Sequence, residues 1–152
     1  MPLLSKRKFE VFASDENSKR QFMLKCDSIM INFSEFDFSF LLYYLNHKKS
    51  YSELQCEELL RELLRFLALK VALSDLSVPS ALVPSQEIQD VWNAFLLFPK
   101  KYKDFCNSIT DIDGDDKIID TTPLDVITEK DRVLHKEKFR HTVGSYRKGI
   151  FL

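Results

Sequence analysis

Between Leu59 and Val71 the chain is apolar at Leu59, Leu60, Leu63, Leu64, Leu67 and Val71, a recurrence with the period of an α-helix. Glu57, Glu58, Arg61, Glu62 and Arg65 fall on the other side at pairing distances of three and four residues. Ser52 followed by Gln55 has the spacing of a capping box, so the pattern predicts a helix opening at Ser52 and running through LALKVAL; its wide apolar stripe places it centrally. A second stripe follows Ser85, with Ile88, Val91, Trp92, Phe95 and Leu96 inward and Gln86, Glu87, Gln89, Asp90 and Asn93 outward. Pro99 suits a first helical turn and no later one, so a separate helix is expected from there to about Ile109, burying Tyr102, Phe105, Cys106 and Ile109.

The flanks are patterned less sharply. Ser34 is a plausible N-cap for FSEFDFSFLLYYLNHKK, where Phe36, Phe40, Tyr43 and Tyr44 recur at helical spacing. His47, Lys48 and Lys49 then stand where positive charge complements the carbonyl end of a helix. Thr128 with Asp131 resembles another capping box; the helix expected from Glu129 carries Phe139, Val143, Tyr146 and Ile150 on one face, with Gly144 and Gly149 weakening its end. At the N-terminus, alternation over Lys8 to Phe12 suggests a short strand, and a helix is expected over Asp15 to Asp27 with Phe22 and Met23 inward. The pattern therefore predicts one all-α domain, a bundle of about five helices over residues 34–152, behind an N-terminal extension of residues 1–33.

Composition supports one helical core. The chain has 152 residues, long enough to bury a core without covalent staples, and its 3 glycines and 5 prolines are few for an all-β protein. Cys26, Cys56 and Cys106 are odd in number, far apart and set among apolar residues, as expected of reduced core thiols in a cytoplasmic protein. No apolar run approaches the length of about 20 residues that a membrane span needs, and the N-terminus lacks a signal-peptide apolar segment. The formal net charge of −1 gives no general attraction to polyanions.

Charge is nevertheless distributed in blocks. Asp104 to Asp125 holds seven acids and one lysine, whereas from Thr128 onward seven Lys or Arg face three acids. Mutual neutralisation within the chain is one reading, placing the acidic segment around Asp111 over the basic helix. The other is a basic surface of Lys136, Arg140, Arg147 and Lys148 that touches phosphates. Asp111, Asp113, Asp115 and Asp116 begin like an EF-hand calcium loop, but Asp116 stands where that loop needs glycine and Thr122 where it needs a closing glutamate. Cys106 with His135 or His141 has no local signature of a nucleophile. No metal or cofactor is expected from these patterns.

The segments FDFSFLLYYLNHKKSYSELQCEELLRELLRFLALK, LVPSQEIQDVWNAFLLFPKKYKDFC and FRHTVGSYRKGIF resemble, in order, blocks of the glycine-rich-domain-containing-protein-like family. The family's middle block has a Pro-Ser pair, an aspartate shortly before a Trp-His-x-His run, and a tyrosine and cysteine four apart. Pro84, Ser85, Asp90, Trp92, Tyr102 and Cys106 match it here, and Thr142 and Tyr146 match the closing block. Asn93 and Phe95 stand at the two histidine positions, so the resemblance implies a helical fold in which any chemistry carried by those histidines is lost. Asn93 and Asp90, three apart, share a helical face. Together these features predict a non-catalytic interaction or structural protein with a protein partner. The alternatives are a divergent metal-dependent or hydrolytic enzyme using the Asp90 and Asn93 face with the acidic loop around Asp111, and a nucleic-acid binder using the last helix.

Overall fold

The computed structural model describes residues 16–77, 81–110, 112, 118–120 and 129–148, among which all regular structure is helical. Six helices follow in order: α1 (Glu16–Ser34), α2 (Ser39–Lys48), α3 (Glu53–Ala72), α4 (Gln86–Leu96), α5 (Pro99–Asn107) and α6 (Glu129–Lys148). The all-α expectation holds: α2 to α6 are the five helices expected after residue 34, and α1 answers the helix expected over Asp15 to Asp27. The strand expected over Lys8 to Phe12, the acidic segment around Asp111 and the Thr128 cap lie outside the described residues, as does Ile150.

α3 is the central element, with α1, α2 and α4 packed against it. Its start is the expected capping box: Ser52 Oγ accepts from the Gln55 N–H at 3.2 Å and Gln55 Oε1 accepts from the Ser52 N–H at 3.0 Å. From Phe66 to Ala72 every side chain is buried, because apolar residues lie on all sides of the helix except at Lys70 and neighbours cover each face.

α1 is longer than the sequence pattern suggests and belongs to the same core through Phe22, Cys26, Ile29 and Phe33. Residues set apart as an extension thus supply part of the central packing, and the boundary after residue 33 falls at the last turn of α1. Met23, expected inward, is 40% exposed, because the buried positions advance by three and four residues from Phe22 and leave Met23 on the flank. Ser34 does not cap α2. It ends α1, its Oγ donating to the Ile31 carbonyl at 2.6 Å, and the Asp37 carboxylate instead accepts from the Ser39 N–H at 3.0 Å. This bond holds the Asp37 carboxyl below its ordinary range. In α2 the buried residues are Leu41 and Leu45, while Tyr43 is exposed and stacks at 3.9 Å on His47 near the carbonyl end.

Aromatic rings join α1, α2, α4 and α5. Phe105 sits 4.9 Å from Phe33, 5.4 Å from Phe36, 5.5 Å from Phe38 and 5.4 Å from Phe95, ring centroid to centroid. Edge-to-face and tilted geometries of this kind add to the gain from burial. Asn32 completes the junction by hydrogen-bonding the end of α5: its side chain donates to the Ser108 carbonyl at 3.2 Å and accepts from the Thr110 N–H at 3.1 Å.

Candidate functional site

The segment 84–106 carries the motif residues, and the fold explains their spacing. Ser85 is the N-cap of α4, its Oγ accepting from the Ile88 N–H at 3.3 Å, while Pro99 occupies the first turn of α5 as expected. Pro84 before the cap is buried. The short turn through Leu97 and Phe98 folds α5 back onto α4, so that Trp92 and Tyr102, ten residues apart, meet in the core. Trp92 Nε1 donates to the Tyr102 hydroxyl at 3.1 Å, and that hydroxyl donates to the Ile119 carbonyl. Both buried polar tips thereby gain partners, which removes the cost of leaving them unsatisfied.

The Cys106 thiol lies in this same hydrogen-bonded group, and burial pushes its pKa up. Burial likewise raises the Tyr102 phenol, whose ring packs 4.9 Å from Phe95. Cys26 is pushed up to about 12 and Cys56 is also raised, each chiefly by burial, and all three cysteines are free and buried. At neutral pH these thiols are protonated and shielded, a poor state for nucleophilic attack.

Asp90 and Asn93 are both exposed, as expected, but each is held by a glutamine four residues earlier rather than by the other. Gln86 Nε2 donates to Asp90 Oδ1 at 2.9 Å, and Gln89 Nε2 to Asn93 Oδ1 at 3.0 Å. Gln89 corrects the helical pattern: expected on the outer face, it is only 2% exposed, since the side chain three residues before Trp92 turns with it toward the core. Asn93 and Phe95 point to different environments, Phe95 being fully buried. Among the described residues no group of three or more His, Cys, Asp or Glu side chains is gathered where it could hold a metal ion.

A polar centre that the hydrophobic pattern conceals lies beside Trp92. Lys70, in the apolar run of α3, is completely buried; its Nζ lies 5.6 Å from the Phe66 ring centroid and 5.9 Å from that of Trp92. It pairs with Asp75 at 2.8 Å, and Asp75 also accepts from the Ala81 N–H at 3.0 Å and the Leu82 N–H at 2.9 Å. Desolvation lowers the Lys70 pKa against the opposing pull of Asp75. Burial pushes Asp75 up, but its bonds to Lys70, Ala81 and Leu82 outweigh this and hold its carboxyl below the ordinary value. The available sequence signal was one lysine on an apolar face with an aspartate five residues on.

The pair fixes the strand of chain leading into α4, and that strand anchors α6. The Val83 N–H donates to Thr142 Oγ1 at 2.8 Å, and Thr142, 1% exposed, donates in turn to the Lys138 carbonyl at 2.9 Å. Of the expected basic surface, Lys136 and Arg140 are exposed on α6. Arg147 and Lys148 lie in its last turn and Tyr146 just before; their side chains are outside those described. Lys136, Phe139 and Arg140 line a cleft of about 410 Å³ with Ser85 and Gln86 of the α4 start. Phe139 is half-exposed and Val143 half-buried, so the apolar face expected of α6 is only partly covered.

Comparison of the chain with family models, with curated proteins and with solved structures gave no match. Among the described residues no helix is long and apolar enough to cross a membrane.

Proposed function

We propose that this protein is a non-catalytic interaction protein, whose distinctive residues build a rigid helical body that presents α6 to a protein partner. The observation that carries this reading is the bond from Trp92 to Tyr102 and on to the Ile119 carbonyl. It commits the residues with the most chemical potential in the segment, together with Cys106, to internal packing. The resemblance to the glycine-rich-domain-containing-protein-like family is part of the proposal. Its support is that Trp92, Tyr102 and Cys106 share the buried core, that Ser85 caps the helix carrying Trp92, and that Thr142 is hydrogen-bonded to Val83 just before that cap. A cytoplasmic setting, also proposed, fits three buried free thiols.

Elemental analysis of the purified protein without chelator tests the reading against a metal-dependent enzyme. Less than about 0.2 equivalents of zinc, iron, manganese or calcium is expected, because a built site holds its ion tightly through purification. A stoichiometric ion that also raises thermal stability would overturn the non-catalytic reading. Nucleic-acid binding is a second reading, favoured by the exposure of both Lys136 and Arg140.

A further inference from the structure

We propose that the cleft between α6 and the start of α4 docks an acidic segment of a partner protein, one that carries a bulky apolar side chain beside its carboxylates. This inference rests on the interaction reading above and names the surface and the partner chemistry.

The cleft supplies two kinds of attraction in one place. Lys136 and Arg140 stand one helical turn apart on α6, both exposed, and among the described residues neither forms an ion pair with an acidic side chain. Phe139 projects beside them with 36% of its surface exposed, and Val133, one turn before Lys136, is 49% exposed. The opposite wall is Ser85, the N-cap of α4, and Gln86, its first residue, where the helix presents its partially positive end. A carboxylate placed against the two cations would leave a neighbouring apolar side chain over Phe139. The hollow, of about 410 Å³, is open to solvent, so side chains of a partner reach it from the surface. The Val83 N–H to Thr142 Oγ1 bond joins α6 to the segment that enters α4, which sets the two walls of the cleft side by side.

The same features weigh against a nucleic acid as occupant. Among the described residues the cleft offers two cations, enough for two phosphates and fewer than firm backbone binding at physiological salt needs.

The test uses the full-length protein and a fluorescent peptide of about ten residues in which glutamates flank one phenylalanine, read by anisotropy at about 150 mM salt. Saturable one-to-one binding is expected, weakened about tenfold or more by Lys136→Glu with Arg140→Glu, and also by Phe139→Ala. Replacing the peptide's phenylalanine by alanine should weaken it likewise. Charge reversal can also act through the fold, so a control peptide with lysines in place of glutamates should bind the reversed variant and not the parent protein. Peptide binding that ignores these substitutions overturns the site. Tighter binding of duplex DNA, with a log–log salt slope steeper than about −3, replaces the peptide with a nucleic acid. A gain of about tenfold in peptide affinity when Asp111, Asp113, Asp115 and Asp116 become Asn would assign the cleft to the chain's own acidic segment and overturn the partner. A stoichiometric metal would defeat the non-catalytic reading without touching any of these outcomes.

Discussion

Lys70 is the residue on which local packing most depends for charge balance. A lysine with no exposed surface is tolerated because Asp75 and two aromatic faces replace its water. Removing one partner leaves the other charge buried, so Asp75→Asn is expected to cost about 3 kcal/mol or more in urea unfolding. Lys70→Met combined with Asp75→Asn should recover a good part of that loss, since an apolar isostere carries no desolvation cost. A double variant no more stable than Asp75→Asn would show that the pair matters mainly through the Ala81 and Leu82 bonds. The Asp75 carboxyl is held below its ordinary 3.8, so the stability it contributes is full above that pH and is lost as pH falls through the lower folded value. Sequence periodicity concealed this residue because a helix pattern scores a single lysine within LALKVAL as an interruption, whereas three-dimensional covering of α3 on every side forces it inward. Gln89 was misplaced for a related reason: position on a helical wheel does not say how wide the covered sector is.

Helix starts with a specific chemical signal were legible, and those with a generic one were not. Ser52 with Gln55, Ser85 before Gln86 and Pro99 each define a first turn by hydrogen bonding or by a fixed dihedral angle, and each begins a helix as expected. Ser34 failed because serine near the end of a helix can also turn back onto the carbonyl three residues earlier, which it does. The α4–α5 pair is the element whose integrity depends most on one side chain. Trp92 is 2% exposed, packs 5.7 Å from the Phe66 ring and hydrogen-bonds Tyr102. Trp92→Ala is expected to destabilise the protein by about 3–5 kcal/mol, and Tyr102→Phe by about 1–3 kcal/mol because it leaves the Trp92 N–H and the Ile119 carbonyl unpaired. A change below about 1 kcal/mol for Trp92→Ala in urea unfolding would move Trp92 from packing to recognition.

At the scale of the molecule, the helical class and the central place of α3 were readable because a long apolar stripe can be satisfied only by surrounding helices. The way α6 attaches was not, since Thr142 and Val83 lie 59 residues apart and neither has a distinctive local pattern. The whole arrangement makes one claim about thiol chemistry: Cys26, Cys56 and Cys106 are all buried in a single core. Timed labelling of the native protein with an aromatic disulfide reagent at about pH 8, followed by the same reaction in denaturant, tests it directly. The expected result is less than about 0.1 thiol equivalents within minutes when native and all three when unfolded, because labelling then waits on opening of the core. Fast stoichiometric labelling of Cys106 in the folded protein would contradict the account, placing an accessible thiolate beside Tyr102 where the structure has a closed core.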